Sequence, residues 1–162
     1  MSDALLEIDE LQVSFHTDEG VVKAVDGVSF SVNRGEVVAV VGESGSGKSV
    51  TGMTLMGLTR GPNAEFGGSA TLDGQELLTM SNEELRKIRG NDIAMIFQDP
   101  ISSLNPVYRV GWQIVEQIRT HNPQVSKADA TARAVELMER VGVPRAAERL
   151  RSYPHEFSGG MR

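Results

Sequence analysis

Apolar positions recur along the chain in two rhythms, and the change between them divides it. Over residues 5–15, Leu6, Ile8, Leu11, Val13 and Phe15 fall in partial alternation with polar neighbours, which predicts a strand with one buried face. Over residues 21–32 the alternation returns through Val22, Ala24, Val28, Phe30 and Val32. His16-Thr17-Asp18-Glu19-Gly20 between them is a turn signal, so the two runs are expected to pair as antiparallel strands. Asn33-Arg34-Gly35 turns the chain into Glu36-Val37-Val38-Ala39-Val40-Val41, a short β-branched run that predicts a buried parallel strand. Residues 50–58 then place Val50, Met53, Thr54, Met56 and Gly57 at helical spacing.

Gly61-Pro62-Asn63 and Phe66-Gly67-Gly68 predict loops around a short strand over residues 69–72, which turns at Asp73-Gly74. Ser81-Asn82-Glu83-Glu84 is a capping box, in which the serine accepts from the third amide while the glutamate returns to the cap N–H. It opens a helix to about Arg89, closed by Gly90. Residues 92–97 predict a second buried strand, ended by Gln98-Asp99-Pro100. Beyond it strands disappear. Residues 110–120 and 126–141 are amphipathic helices, with Ile114, Val115 and Ile118 on one and Ala130, Ala134, Leu137, Met138 and Val141 on the other. Residues 145–155 are polar, helical or irregular, and broken by Pro154.

The first parallel strand runs into Gly42-Glu43-Ser44-Gly45-Ser46-Gly47-Lys48-Ser49, which fits glycine, four residues, glycine-lysine-serine or threonine. Strand, glycine-rich turn and helix in that order make a phosphate site. Glycine takes positive φ and lets the backbone approach a ligand. Successive amides then converge on phosphate oxygens at the positive end of the following helix. Lys48 is expected to reach the β- and γ-phosphates, and the Ser49 hydroxyl to bind Mg²⁺. The expected nucleotide contacts are Gly42, Glu43, Ser44, Gly45, Ser46, Gly47, Lys48, Ser49 and the adjoining Val50.

Composition narrows the class. The 162 residues suffice for one domain with a sizeable core, and a net charge of −6 argues against a nucleic-acid footprint. The longest apolar run is the five residues 37–41, far short of a membrane span. No basic, then apolar leader is visible at the N-terminus, and zero cysteines exclude disulfides and thiolate metal sites in this segment. The chain reads as soluble, intracellular and globular. His16, His121 and His155 lack metal-ligand spacing.

A phosphate loop alone does not choose among kinases, GTPases and transporters. No Asn-Lys-x-Asp guanine reader is present, whereas a small-molecule kinase is compatible with the loop. The later residues decide. Ile96-Phe97-Gln98-Asp99-Pro100, Ser102-Ser103-Leu104-Asn105-Pro106, Tyr153-Pro154-His155-Glu156 and Phe157-Ser158-Gly159-Gly160-Met161 follow the loop in order. With it they make the whole chain resemble the ATP-binding subunits of ABC transporters, in the group serving dipeptide, oligopeptide and nickel importers. By itself Gln98 reads equally well as a polar strand end, and Ser158-Gly159-Gly160 as an ordinary loop.

That resemblance implies an α/β fold of the ABC-type P-loop NTPases: an antiparallel β layer, a parallel α/β core and an α-helical insertion. The expected division is an ATP-binding core with its β layer over residues 1–98, then the Q-loop exit, helical subdomain and start of the signature motif over 99–162. It implies that Gln98 helps bind Mg²⁺ and the attacking water, that Phe15 stacks on adenine, and that Ser158, Gly159 and Gly160 contact in trans the nucleotide held by another subunit. The implied ligands are ATP and Mg²⁺. The implied partners are a second ATP-binding subunit in a head-to-tail dimer, two transmembrane permease subunits and, indirectly, a solute-binding protein, with the chain peripheral on the cytoplasmic face of the inner membrane.

The family pattern continues past Arg162 with a strand ending in Asp-Glu and a switch histidine. The 162 residues are therefore expected to be an N-terminal fragment that stops before the core is complete and lacks the general base, so that they do not hydrolyse ATP alone. The expected function is ATP-driven peptide uptake. A nickel importer of the same group, a non-transport ABC ATPase and a small-molecule kinase are the alternatives.

Overall fold

The computed structural model describes residues 4–97 and 104–158. They form two compact units, which divide after Met95. In the first, β1 (Ala4–Thr17) and β2 (Gly20–Asn33) pair antiparallel, joined by the tight turn that the sequence announces. β3 (Ala64–Leu72) pairs antiparallel on the other side of β1, and β4 (Gln75–Glu76) pairs with β3, giving the sheet order β2-β1-β3-β4. α1 (Lys48–Leu55) and α2 (Asn82–Ile88) complete the unit.

The alternation along β1 slips phase between Ile8 and Leu11, three residues apart instead of two, and the structure shows why. Opposite β3, Asp9 pairs with Ser69 and Gln12 with Gly67, so Glu10 and Leu11 face the single residue Gly68. This bulge lets Ile8, Leu11 and Val13 all be buried despite the odd spacing. Glu10 takes φ 47° there, and its N–H donates to Ser29 Oγ at 2.8 Å. Gly68 sits at φ 77°, where a Cβ would fall 2.2 Å from Glu10 O. Phe66-Gly67-Gly68 is therefore part of β3 and not a loop, because a glycine pair also serves a bulge inside a strand. β2 carries two inserted residues of its own. Leu11 and Gln12 face Val28 and Asp26, leaving out Gly27, and Val13 and Ser14 face Val25 and Lys23, leaving out Ala24.

Ile8, Leu11, Val13, Val25, Leu55, Ala70, Leu72, Leu77, Leu85 and Ile88 form one buried cluster. Each large side chain in it contributes about 1.5–3 kcal/mol relative to exposure. The capping box is present: Ser81 Oγ accepts from the Glu84 N–H, and Glu84 Oε2 accepts from the Ser81 N–H at 2.8 Å. Arg60 donates to the Leu77, Leu78 and Met80 carbonyls, and Arg89 Nε to Met56 O at 2.7 Å, at the end of α1. Burial and the neighbouring Arg89 charge hold the Arg60 guanidinium below its ordinary pKa.

Two expectations fail. Residues 36–41 and 94–97 adopt no regular structure, and neither the run 36–41 nor the run 92–97 joins a ladder. Val37 and Val41 are 96% and 91% exposed, and beyond an isolated bridge between Arg89 and Ile93 the second segment ends with Ile96 94% exposed. A parallel strand exists only through its neighbours, and among the described residues none lies alongside either run. Glu36 is nonetheless fixed, its Oε2 accepting from the Asn33 backbone N–H at 2.7 Å and from Asn33 Nδ2 at 2.9 Å.

The second unit holds α3 (Val110–His121), α4 (Lys127–Arg140), the short α5 (Ala146–Arg149) and a 3₁₀ turn (Pro154–Glu156). α4 starts at the Ser126 cap and stops before Gly142 at φ 78°, as its sequence predicts. Val141, expected on the apolar face, is exposed because it lies beyond the last helical turn. The first two amides of α3 donate to Ser152 O and Leu150 O at 2.9 and 3.0 Å, so the end of α5 caps a helix that lacks a side-chain cap. That approach needs Gly111, where a Cβ would lie 2.6 Å from Leu150 O. Val110, Met138, Val143, Ala146 and Phe157 form the buried cluster of this unit.

Candidate functional site

The glycine-rich stretch leaves the apolar run at Val41 and enters α1 at Lys48. Gly47 is the cap residue, at φ 88° and ψ −3°, a left-handed geometry that glycine takes without penalty. Gly45 is also left-handed, at φ 85°, and the Ser46 N–H closes a turn onto Glu43 O at 3.2 Å. Gly42 lies so near Ser46 that a Cβ would meet its Oγ at 2.5 Å. Lys48 draws the turn together. Its ammonium donates to Gly42 O and Glu43 O, both at 2.7 Å, and to Ser46 Oγ at 3.1 Å. The result is a narrow loop with a positive charge inside it, followed by helix amides that have no intrahelical acceptor. A group of high negative charge and several acceptors suits such a cradle, as a polyphosphate does.

Other expected residues are placed as follows. Ser44 and Gly45 are exposed at the tip of the loop, Ser49 is exposed in the first turn of α1, and Val50 is half-buried against the first cluster. Phe15 is half-buried on β1, paired with Val22 on one side and Ala64 on the other. Ser158 is exposed in the second unit, next to the buried Phe157. Gln98, Gly159 and Gly160 lie outside the described residues. The structure thus brings residues 42–48 together.

Three residues that pattern reading missed complete the loop's support. Thr51 is buried, with its N–H and its hydroxyl both donating to Gly47 O, at 2.8 and 3.1 Å. Ala24 O and Val25 Cγ2 lie 2.4 and 3.3 Å from the place a Gly47 Cβ would take. The adjacent apolar pair Ala24-Val25 breaks the alternation of β2, but so does Val21-Val22, and the sequence does not single the contact out.

The fold has close counterparts. The dimeric ATP-binding cassette MJ0796 superposes with a TM-score of 0.82 at 22% identity, over 96% of this chain and 64% of that one. A structure of the same cassette described as a post-hydrolysis state bound to ADP and Pi gives 0.79 at 20% identity, with the same coverage. The fold shared with these structures is that of an ATP-binding cassette, here with an antiparallel sheet and a helical unit.

Sequence comparison is more specific. A family profile described as "ABC transporter" matches residues 25–162, and the chain belongs to that family. Among curated relatives, the dipeptide transport ATP-binding protein DppD of Lactococcus lactis is 53% identical over 99% of this chain and 46% of its own length. The oligopeptide transport ATP-binding protein OppD of Escherichia coli is 49% identical over 99% of this chain and 47% of its own. OppD of Bacillus subtilis is 48% identical over 98% and 44%. The chain spans about half the length of the curated relatives it matches.

Proposed function

We propose that this chain is part of the ATP-binding, ATP-hydrolysing energy subunit of an importer for dipeptides or oligopeptides. The observation that carries the reading is the loop at residues 42–48, drawn around the Lys48 ammonium at the start of α1, in a chain 53% identical to a dipeptide transport ATP-binding protein. Within it, the amides of residues 45–49 and the Lys48 ammonium hold the β- and γ-phosphates. The loop fits that load: Gly42 and Gly47 stand where a side chain would collide with Ser46 or with β2, and the Lys48 ammonium is drawn into the turn.

Ser49 presents its hydroxyl from the first turn of the helix, where with Gln98 it would hold Mg²⁺. The ion supplies charge neutralisation at the phosphates. Phe15 provides the face on which adenine stacks. Ser158, Gly159 and Gly160 serve a second nucleotide in trans, which places two cassettes head to tail. A ligand that touches both cassettes only when they are closed shifts the pair toward closure, and that shift is what couples the nucleotide to transport. The coupled partners are two permease subunits and a solute-binding protein, with the cassette on the cytoplasmic face of the membrane. Among the described residues no helix is long and apolar enough to cross a membrane.

Lys48→Ala in the complete protein tests the reading. It removes the ammonium around which the loop is drawn, and ATP binding and peptide uptake should both be lost. Uptake at the unsubstituted rate would refute the proposal.

A further inference from the structure

We infer that the bulge in β2 at Ala24-Val25 positions the phosphate loop, and that Val25 is a positioning residue for nucleotide binding although it belongs to the core. The inference rests on the nucleotide reading of residues 42–49 and adds how that loop is held in place.

The register along the β1–β2 hairpin makes Ala24 the extra residue: Val13 pairs with Val25 and Ser14 with Lys23. An inserted residue is left out of the ladder and bends its strand, which re-aims the groups it carries. Here the Ala24 carbonyl is turned onto Gly47, with its oxygen 2.4 Å from where a Cβ would stand and its carbon 3.5 Å away. Only a hydrogen fits between them, so the Gly47 α-hydrogen points at that oxygen. Val25 supplies the second contact, Cγ2 at 3.3 Å from the same point, and is itself only 5% exposed in the cluster that includes Val13.

Gly47 is the cap of α1 and the acceptor of both Thr51 bonds, so its position sets where the helix begins. It also precedes Lys48 and Ser49 directly. Among the described residues the run that leads into the loop is open, with Val40 and Val41 51% and 91% exposed. The hairpin is therefore a surface against which the Gly47 side of the loop is set. Removing the Val25 methyls opens a small cavity in the core cluster and also frees the Gly47 side of the loop, and a phosphate site displaced by a fraction of an ångström binds its ligand less well.

ATP affinity and melting temperature, measured side by side on the complete protein, test this. Val25→Ala should bind ATP roughly tenfold more weakly, a loss of the size that small misplacements cause. Val25→Thr keeps the branched shape and fills the place of Cγ2 with its hydroxyl, and should restore affinity even where the buried hydroxyl lowers the melting point. Leu77→Ala removes a larger side chain, 1% exposed in the same cluster beside β3. It should lower the melting point and leave ATP affinity unchanged. Unchanged affinity in Val25→Ala, or an equal loss in Leu77→Ala, would overturn the inference. Absence of ATP binding by the unsubstituted protein would overturn the nucleotide reading and the inference with it.

Discussion

Alanine at Gly47 and alanine at Gly45 make a matched pair, because the two glycines share a backbone geometry and differ in surroundings. Their φ values are 88° and 85°, so alanine at either pays the left-handed penalty of about 1–2 kcal/mol. A Cβ at Gly45 meets nothing within 4 Å, and the strain is the whole cost. At Gly47 the same atom lands 2.4 Å from Ala24 O and 3.3 Å from Val25 Cγ2. The oxygen belongs to the backbone of a paired strand and cannot swing away, so either the loop or the hairpin must move by roughly half an ångström. Overpacking against an unyielding neighbour costs about 1–3 kcal/mol more. Gly45→Ala should therefore lose about 1–2 kcal/mol and Gly47→Ala about 2–5 kcal/mol. Urea unfolding of the complete protein, followed by far-ultraviolet circular dichroism, measures both losses. The gap between the variants reports the contact with β2. Equal losses would refute the claim that the hairpin holds the loop.

Two further outcomes follow from other parts of the molecule. Hydrogen bonds from the Ser81 hydroxyl, and then from its amide, hold the Glu84 carboxyl below its ordinary pKa of 4.5, against a small opposing effect of burial and with help from Lys87. A lowered folded pKa means the cap stabilises fully above the unfolded value and fades as pH falls through the folded one. Glu84→Gln should accordingly flatten the stability profile below about pH 4.5, and an unchanged acid limb in a pH series of melts would refute the cap's role. In the helical unit, Gly111→Ala drives a Cβ into Leu150, whose O, Cδ2 and Cβ stand at 2.6, 2.7 and 2.8 Å. Intact packing there predicts a loss of about 1–3 kcal/mol by chemical denaturation despite alanine's better helix propensity, and a gain in stability would contradict it.

What could be read from the sequence was what is local. The hairpin, the Ser81 box, the Ser126 cap and the glycine-rich turn each depend on residues a few positions apart, and each stands where its pattern put it. Residues 36–41 and 92–97 carry equally strong apolar signals, but a parallel strand is defined by distant partners that a local pattern does not contain. The bulge opposite Gly68 was visible only as a phase slip between Ile8 and Leu11, and a glycine pair reads as a loop until the partner strand is known. The support of the candidate site was hidden for a related reason. Ala24 and Val25 act through a carbonyl and a methyl on an element more than twenty residues before Gly47, and nothing in their chemistry marks them as functional.

The exposed valines at 37 and 41 also bear on how the chain behaves in company. A β-branched run with an unpaired backbone is a template for edge-to-edge association between copies. Glu36 stands immediately before this run, and Glu43 follows it after a single glycine. The first carboxylate is pinned in place by its two bonds from Asn33 and does not simply drift in solvent. Two copies aligning along this run would bring like charges together at its ends, in a chain already at −6. The acids at either end of this run thus stand as gatekeepers against pairing between copies of the chain.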